Sequence, residues 1–382
     1  MKIPSFQIGI TDHCNLKCIH CGQNACEGYG HPGGLGPLPF HQGKKGFMDE
    51  GLFRRIMDDI EKNEINFDVF NFFWFGEQFL HPLTLKFLRQ IFDQYRRKPF
   101  FHKFFLHTNG TLFNQDFGSL ILDFCREFPD LMFRLYFSLD AGGREDFFNI
   151  KRSDDYELVE RNIVDFIKKR QNFGIQPQVV LGFIVLPENR SAAGNFLSHW
   201  QQVFADLGRE VTVTVNSPHE TADCLYLRVA YLPLQAKFER LFQETAVELG
   251  LMSPKVLLTE GIERQTVMQL IDGKTLKSVS PVRPACPAPF RTVTVNWDGR
   301  LAACCSDYEF EVKLPSLTEM NLTDAWLSAV YQDLRCSQLS GDLSAYPRCE
   351  HCGNIDALPL SKAEIELAIQ NGMLQDPKKK GP

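Results

Sequence analysis

Apolar residues repeat with two different periods along the first 215 positions. Runs in which every second residue is apolar, or in which nearly all are, predict β-strands, and stripes at every third or fourth position predict helices between them. The stripe through Leu52, Ile56 and Ile60 is an example of the helical pattern. The predicted strands cover 6–10, 66–75, 104–107, 132–139, 178–186 and 211–215.

These strands and helices alternate without the turn signals that join neighbouring strands as hairpins. Such alternation predicts a parallel sheet, either flat or curled into a partial barrel. In parallel sheets, binding and catalytic residues collect at the carboxyl ends of the strands. The first predicted strand ends just before Cys14, so we expect residues 14–21 at that edge.

The character of the chain changes after Pro218. A connector with a helical stripe around Leu241 leads to a proline-rich segment, after which Asp298-Gly299 between two β-rich runs predicts a hairpin. A further helix is predicted near 321–334. The predicted division is 1–218 (α/β domain), 219–281 (helical connector), 282–360 (small cysteine-bearing domain) and 361–382 (C-terminal helix and tail).

Composition narrows the possible functions. With 382 residues, 44% of them hydrophobic and 33 of them Phe, the chain can bury a large core. The formal net charge of −6 gives no reason to expect nucleic-acid or acidic-membrane partners. No apolar run long enough for a signal sequence or a membrane span is present, so we expect a cytoplasmic protein. Twelve cysteines in a reducing compartment indicate metal ligands or reactive thiols rather than disulfides.

Three of these cysteines, Cys14, Cys18 and Cys21, lie within eight residues in the pattern C-x3-C-x2-C. Three thiolates can hold three corners of a 4Fe-4S cluster and leave the fourth iron open. A zinc site that uses these cysteines with His20 is the alternative.

A second group lies near the other end of the chain. Cys286 and Cys304 are followed by the C-x2-C pair Cys349 and Cys352. Four cysteines in this pattern indicate a second metal or cluster site. A structural zinc ion with four cysteine ligands suits the same pattern.

The first group resembles the cluster loop of the radical S-adenosylmethionine (SAM) superfamily. The resemblance implies a partial (β/α)6 barrel followed by a small α+β iron-sulfur domain. It also implies that a SAM-binding cluster delivers one electron to SAM and produces a 5′-deoxyadenosyl radical. An external one-electron reductant such as flavodoxin or ferredoxin would supply that electron.

The segment after the second strand resembles the Gly-Gly-Glu motif that meets the SAM amino group. Gly76 and Glu77 match the motif, whereas Phe75 replaces its first glycine and Gln78 the customary proline. These departures leave the local backbone geometry open. The alternative for Glu77 is an exposed turn acid.

Other strand ends match further SAM-binding positions of the superfamily. Asn109 lies in a Thr-Asn-Gly segment that could instead be an ordinary turn, and Ser138 and Asp140 lie where the family reads the SAM ribose, although Asp140 could cap a helix. Arg152 resembles an arginine that holds the SAM carboxylate, with a surface salt bridge as the alternative. The adenine would lie near Gly182 and Asn216.

The second cysteine group resembles the twitch domain, a shortened SPASM domain that binds one auxiliary cluster. The resemblance implies Cys286, Cys304, Cys349 and Cys352 as its ligands. Of the remaining cysteines, Cys26, Cys305 and Cys336 could donate a hydrogen atom to a substrate radical. Cys336 could also replace an auxiliary ligand.

The four-cysteine pattern resembles that of the dehydrogenase of butirosin biosynthesis, a twitch enzyme that oxidises a cyclitol alcohol. We therefore expect a radical SAM oxidoreductase or epimerase acting on a small polar substrate such as a sugar, cyclitol or nucleotide-like compound. Modification of a ribosomal peptide is the alternative reaction. A zinc-stabilised binding protein without catalysis is the alternative of another class.

Overall fold

The computed structural model describes residues 1–21, 45–170, 176–215, 217–229, 235–252, 285–307, 309–350, 352 and 360–374. Within these ranges the strands form a single mixed sheet. Its strands are β1 (Lys2–Ile8), β2 (Asn66–Phe72), β3 (Phe101–Thr108), β4 (Met132–Ser138), β5 (Gln178–Val185), β6 (Thr212–Thr214), β7 (Cys224–Val229), β8 (Thr292–Val295) and β9 (Leu301–Ala302).

The strand order is β6-β7-β5-β4-β3-β2-β1-β8-β9. All neighbours pair in parallel except β8 and β9, which form an antiparallel hairpin. The predicted α/β fold with a parallel sheet is confirmed, and the carboxyl ends of β1 to β5 lie at one edge. The sheet also runs from the first domain into the cysteine-bearing domain, because β8 pairs with β1.

Helices follow most strands and cover the outer face of the sheet. Their apolar stripes face it as the sequence predicts, and Asp49 caps the first helix by accepting from the backbone N–H groups of Gly51 and Leu52. The helices are α1 (Glu50–Lys62), α2 (Thr84–Arg97), α3 (Gln115–Glu127), α4 (Arg144–Lys151), α5 (Tyr156–Arg170), α6 (Ala193–Asp206), α7 (Gln235–Glu248), α8 (Ala288–Arg291), α9 (Leu322–Trp326), α10 (Ala329–Ser340), α11 (Pro347–Glu350) and α12 (Lys362–Gln370).

Stacked phenylalanines fill the space between helices and sheet. Phe92 of α2 lies parallel to Phe124 of α3 with ring centroids 3.9 Å apart, and Phe104 of β3 stacks on Phe70 of β2 at 5.5 Å. All four rings are fully buried. The other face of the sheet carries polar side chains such as Asn71, so the two faces have different roles.

The strand β7 lies in the segment predicted as a helical connector. It inserts between β5 and β6, and a buried ion pair fixes it there: Asp223 accepts from Arg170 of α5 and, at 2.8 Å, from the N–H of Val179. The six-residue strand was missed because the prediction of this segment followed its helical stripes. The helical part of the connector is present as α7.

The single helix predicted near 321–334 is two helices, α9 and α10. Ser328 interrupts them, and its hydroxyl caps α10 by accepting from the N–H of Tyr331. The buried guanidinium of Arg335 then ties the domain together, since it bonds the carbonyls of Pro289 and Trp326 at 2.9 Å. No helix within the described ranges combines the length and apolarity needed to cross a membrane.

Candidate functional site

The loop that carries Cys14, Cys18 and Cys21 follows β1 at the carboxyl edge of the sheet. Two backbone hydrogen bonds attach it to the end of α4, from Lys17 N to Lys151 O at 3.3 Å and from Ile19 N to Ile150 O at 2.9 Å. The loop is therefore held between β1 and α4, and its thiols lie over the strand ends.

Burial controls the state of these thiols. It raises the pKa of Cys14 to about 11 and that of Cys18 to about 12, and a thiolate at Cys21 raises both pKa values further. Thiols that lie this close repel one another when ionised, so they can all be thiolates only if a bound cation compensates their charge. The donor set fits an iron-sulfur cluster in this respect.

Within the described ranges, no three His, Cys, Asp or Glu side chains lie close enough together to hold one metal ion.

Gly76 lets the end of β2 meet the start of the cysteine loop. Its φ is +76°, and a Cβ there would lie 2.6 Å from the carbonyl oxygen of His13 and 2.7 Å from that of Thr11. The next residue continues the contact, since Glu77 N donates to His13 O at 2.8 Å. Only glycine allows this approach.

Glu77 is buried beneath this contact. Its carboxylate accepts from Thr108 Oγ1 at 3.0 Å and from the backbone N–H groups of Asn109 and Phe79 at 2.7 and 3.2 Å. The alternative of an exposed turn acid is wrong, because the side chain is only 2% exposed. The residue joins the ends of β2 and β3.

Gln78 stands where the motif has proline, and its side chain fixes the backbone around Gly76 by two hydrogen bonds. Its side-chain oxygen accepts from Ile10 N and its amide nitrogen donates to Phe75 O, each at 2.9 Å. The amide thereby fixes the backbone on both sides of Gly76. No sequence signal predicts the bond to Ile10, because the two residues lie 68 positions apart in the chain.

We expect Glu77→Gln to remove a pH dependence of stability in the metal-free protein. Burial raises the pKa of Glu77 to about 7, so the folded state retains a proton that the unfolded state loses near pH 4.5. The wild-type free energy of unfolding should fall relative to the variant as pH rises from 4.5 to 7, by about 3 kcal/mol in total. Urea unfolding at several pH values measures it, and a pH-independent difference would contradict this placement of Glu77.

Asn109 connects β3 with the cysteine loop. Its amide nitrogen donates to Asn15 Oδ1 at 3.0 Å and lies 3.9 Å from Cys14 Sγ. Thr111 completes the network by donating to Asn109 Oδ1 and accepting from Asn15 Nδ2. This is more than an ordinary turn, and Asn15 and Thr111 are residues that the sequence analysis missed.

Ser138 ends β4 and Asp140 lies two residues beyond it, where both meet a buried lysine. Lys151 of α4 forms an ion pair with Asp140 and donates to Ser138 Oγ at 3.2 Å. Burial alone would raise the pKa of Asp140, but Lys151 and its other partners hold it below its usual value. Asp140 also accepts from Ile184 N at 2.7 Å, so it joins β4, β5 and α4 rather than capping a helix.

Sequence reasoning chose Arg152 and missed its neighbour Lys151. Arg152 is exposed at the end of α4, and the described part of the chain offers it no carboxylate partner. The alternative of a surface salt bridge is thus not supported there. The short α4 was not predicted, and a lysine at its end gave no signal of burial.

Gly182 provides space rather than a contact. A Cβ at this position would lie 1.8 Å from the hydroxyl of Tyr136 on the neighbouring strand. Two further candidates, Cys26 and Asn216, lie outside the described residues.

Three stacked rings cover the inner face of the sheet near its carboxyl edge. Phe73 lies parallel to His107 at 3.5 Å, and His107 stacks on Tyr136 at 4.4 Å. Burial lowers the pKa of His107 well below its usual value, so the ring is neutral. These rings were not among the candidate residues, although the alternation along β3 and β4 could have placed two of them on the inner face.

The second cysteine group surrounds the end of the hairpin. Cys304 is largely buried, which raises its pKa, and a thiolate at Cys286 raises it further. Cys352 N donates to Cys349 O at 3.3 Å. The neighbouring Cys305 is exposed.

Cys336 lies on the exposed face of α10. Residues of the same helix that face the domain are buried, among them Leu334 and Gln338, and Gln338 Oε1 accepts from Cys286 N at 3.2 Å. This orientation gives no support to Cys336 as a replacement ligand.

Asp307 brings the C-x2-C segment to the hairpin. Its buried carboxylate accepts from Ala303 N and Glu311 N at 3.1 and 3.0 Å. Arg348, next to Cys349, bonds Glu311 at 2.8 Å and also donates to the carbonyl of Ser306. The two halves of the cysteine group are thus joined by contacts that sequence reasoning missed.

A recess of about 440 Å³ lies at the opposite edge of the sheet, lined by Tyr95, Phe101 and Phe128 among others. It is formed at the amino ends of the strands, whereas the loop of Cys14, Cys18 and Cys21 follows the carboxyl end of β1. It is not part of this site.

Comparison with known proteins assigns the C-terminal region. Residues 286–353 match the SPASM family, described as an iron-sulfur cluster-binding domain. Among solved structures, anSMEcpe with bound AdoMet and Cp18Cys peptide matches with a TM-score of 0.53 and 15% identity, over 98% of both chains. The chain has a radical SAM fold with a C-terminal SPASM domain.

SuiB from Streptococcus suis shares this radical SAM fold with a TM-score of 0.52 and 12% identity, over 87% of this chain and 68% of SuiB. BtrN in complex with AdoMet and 2-DOIA matches over 94% of this chain and 98% of its own, at 11% identity. Its TM-score of 0.45 is too low to establish a common fold. No curated protein matches the sequence.

The match to the SPASM family lies inside the predicted range 282–360, and Cys286, Cys304, Cys349 and Cys352 lie within the matched residues. The predicted resemblance to radical SAM proteins is confirmed for the fold. The ligand roles of the individual cysteines stay predictions.

Proposed function

We propose that this protein is a radical SAM enzyme in which Cys14, Cys18 and Cys21 hold a SAM-binding 4Fe-4S cluster. One observation carries the proposal: the loop with the three partly buried thiols meets the Gly76–Glu77 segment at the carboxyl edge of a radical SAM fold. When bound, the cluster and SAM supply a 5′-deoxyadenosyl radical that removes a hydrogen atom from the substrate.

The chain's own residues would orient SAM and support the loop. Gly76 and Glu77 form the edge nearest the cysteine loop, and Asn109 directs an amide toward Cys14. Ser138 supplies a hydroxyl beside the Asp140–Lys151 pair, which keeps α4 and the loop in place. The stacked rings of Phe73, His107 and Tyr136 lie below this edge on the inner face.

The auxiliary 4Fe-4S cluster would be held by Cys286, Cys304, Cys349 and Cys352. Four ligands leave it no open iron, so its role is to accept or supply an electron. The exposed Cys305 lies beside Cys304 and stays a candidate hydrogen-atom donor. An external one-electron reductant such as flavodoxin or ferredoxin would reduce the first cluster.

The substrate that we propose is a small polar molecule, which is oxidised or epimerised. The inner face of the sheet supports this, because the polar side chains of Asn71, Arg134 and Ser138 lie there beside the stacked rings. A peptide substrate is the second candidate. It is favoured by the likeness to anSMEcpe, whose structure contains a Cp18Cys peptide.

Anaerobic reconstitution tests the proposal. We expect two 4Fe-4S clusters by iron and sulfide analysis and by electron paramagnetic resonance, and formation of 5′-deoxyadenosine from SAM in the presence of dithionite. Stoichiometric zinc without iron would instead support the non-catalytic binding protein. Two clusters without SAM cleavage would contradict the enzymatic proposal.

A further inference from the structure

Trp74 connects the end of β2 with the SPASM domain. Its indole Nε1 donates to the carbonyl oxygen of Cys305 at 3.1 Å, although the two residues lie 231 positions apart. Its ring also meets Phe310 edge-on, with centroids 5.8 Å apart. One side chain thus reaches from the strand end beside Gly76 to the residue that follows Cys304.

The Trp74 side chain passes over the end of β1, the strand that separates β2 from β8 in the sheet. It crosses at Gly9, where a Cβ would lie 3.0 Å from Trp74 Cβ. Gly9 N in turn donates to Val295 O of β8 at 2.9 Å. A side chain at position 9 would press against Trp74, so the glycine keeps the crossing close.

The backbone conformation of the SPASM-domain segment that Trp74 contacts is constrained as well. Phe310 is buried and has a φ of +53°, which is unusual for a large side chain. Such a backbone persists only where surrounding contacts fix it. The backbone of Phe310 is held by Asp307 O and Lys313 Nζ, and its ring contacts the Trp74 ring and the guanidinium of Arg300, which lies 4.0 Å over it.

In the chain, Trp74 is followed directly by residues 75–77, the proposed SAM-binding edge. Phe75 O is held by the Gln78 amide, and Gly76 packs on the backbone beside His13. Glu77 N then donates to the His13 carbonyl, one residue before Cys14. A short chain of fixed contacts therefore runs from the first cysteine group to the second.

We propose that Trp74 is a positioning residue that couples the SAM-binding edge to the auxiliary cluster, so that SAM binding and the redox state of that cluster affect each other. This inference rests on the proposed function. Coupling between two binding equilibria is reciprocal. A ligand bound at the SAM site must therefore shift the potential of the auxiliary cluster, and reduction of that cluster must change the affinity of the site.

The test uses protein loaded with both clusters and S-adenosyl-L-homocysteine, which keeps the amino-acid and adenosyl groups of SAM but is not cleaved. The midpoint potential of the auxiliary cluster is measured with and without this probe by spectroscopic titration. The difference gives the ratio of probe affinities for the two redox states. We expect about fivefold or more in the wild type and less than about twofold in Trp74→Phe.

Trp297→Phe is the matched control. Trp297 also joins the hairpin to the first domain, since its ring packs on Gly46, but its indole N–H has no hydrogen-bond partner within the described residues. The variant should keep the wild-type ratio. In metal-free protein, hydrogen exchange over 301–307 should be faster in Trp74→Phe than in the wild type or Trp297→Phe.

Equal ratios in the wild type and Trp74→Phe would overturn the proposal, as would a wild-type ratio near one. If the probe changes the signal of the first cluster but not the auxiliary potential, the coupling alone is wrong. If the probe leaves the first cluster's signal unchanged, the proposed function fails and the coupling fails with it.

Discussion

Anaerobically reconstituted Cys14→Ala protein is expected to keep one 4Fe-4S cluster and to release no 5′-deoxyadenosine from SAM. The first cysteine group has only three thiols, and the fourth iron must stay open for SAM. Loss of one ligand therefore removes the cluster together with the SAM-binding site. Iron content, electron paramagnetic resonance and chromatographic analysis of the nucleoside products measure the effect.

Cys349→Ala should give the reverse pattern. The SPASM domain loses its cluster, while the first cluster and SAM cleavage without substrate turnover remain. Cys336→Ala is the control for both, because this thiol is exposed on α10 and should leave two clusters. Retention of both clusters in Cys14→Ala or in Cys349→Ala would refute the corresponding ligand assignment.

Asp223→Ala should lower the free energy of unfolding by about 3–5 kcal/mol, because it leaves the buried guanidinium of Arg170 without its carboxylate. Both side chains are almost completely buried, and the same carboxylate holds the backbone of β5 through Val179 N. Removal of Asp223 therefore weakens the junction of α5, β5 and β7. Urea unfolding of the metal-free protein measures the loss.

Asp154→Ala provides the comparison. Asp154 forms an ion pair with Arg144 that is exposed to solvent, and such pairs contribute little. Its unfolding midpoint should stay close to that of the wild type. The double variant Arg170→Met, Asp223→Leu should recover part of the loss, since paired apolar residues can replace a buried ion pair but leave Val179 N without its acceptor. An Asp223→Ala midpoint equal to that of Asp154→Ala would mean that the ion pair does not support this edge of the sheet.

The local pattern of apolar and polar positions was enough to predict most of the sheet. The alternation of residues in β1 to β5 and the stripes of α1, α2 and α3 agree with the structure, because each depends on which face a residue presents within one element. The motif residues Glu77, Asn109 and Ser138 also lie at the strand ends where the resemblance implied them. Their positions follow from the parallel order of the strands.

Contacts between residues far apart in the sequence could not be predicted from local pattern. The burial of Lys151 depends on Asp140 lying opposite it, and the role of Gln78 depends on Ile10, 68 residues earlier. Strand β7 illustrates the same limit. Its pairing with β5 and its ion pair from Asp223 to Arg170 decide its position, and neither contact leaves a periodic signal in its six residues.

Sequence alone therefore determined what lies close in the chain: the spacing of Cys14, Cys18 and Cys21, the strand that precedes them and the separate C-terminal cysteine group. Covalent connection fixes these relations before any folding. Only the tertiary structure decided which distant groups support them, such as the indole of Trp74 at the carbonyl of Cys305. The reason is physical, since a hydrogen bond or a buried ion pair depends on the distance between two atoms in space and not on the number of residues between them.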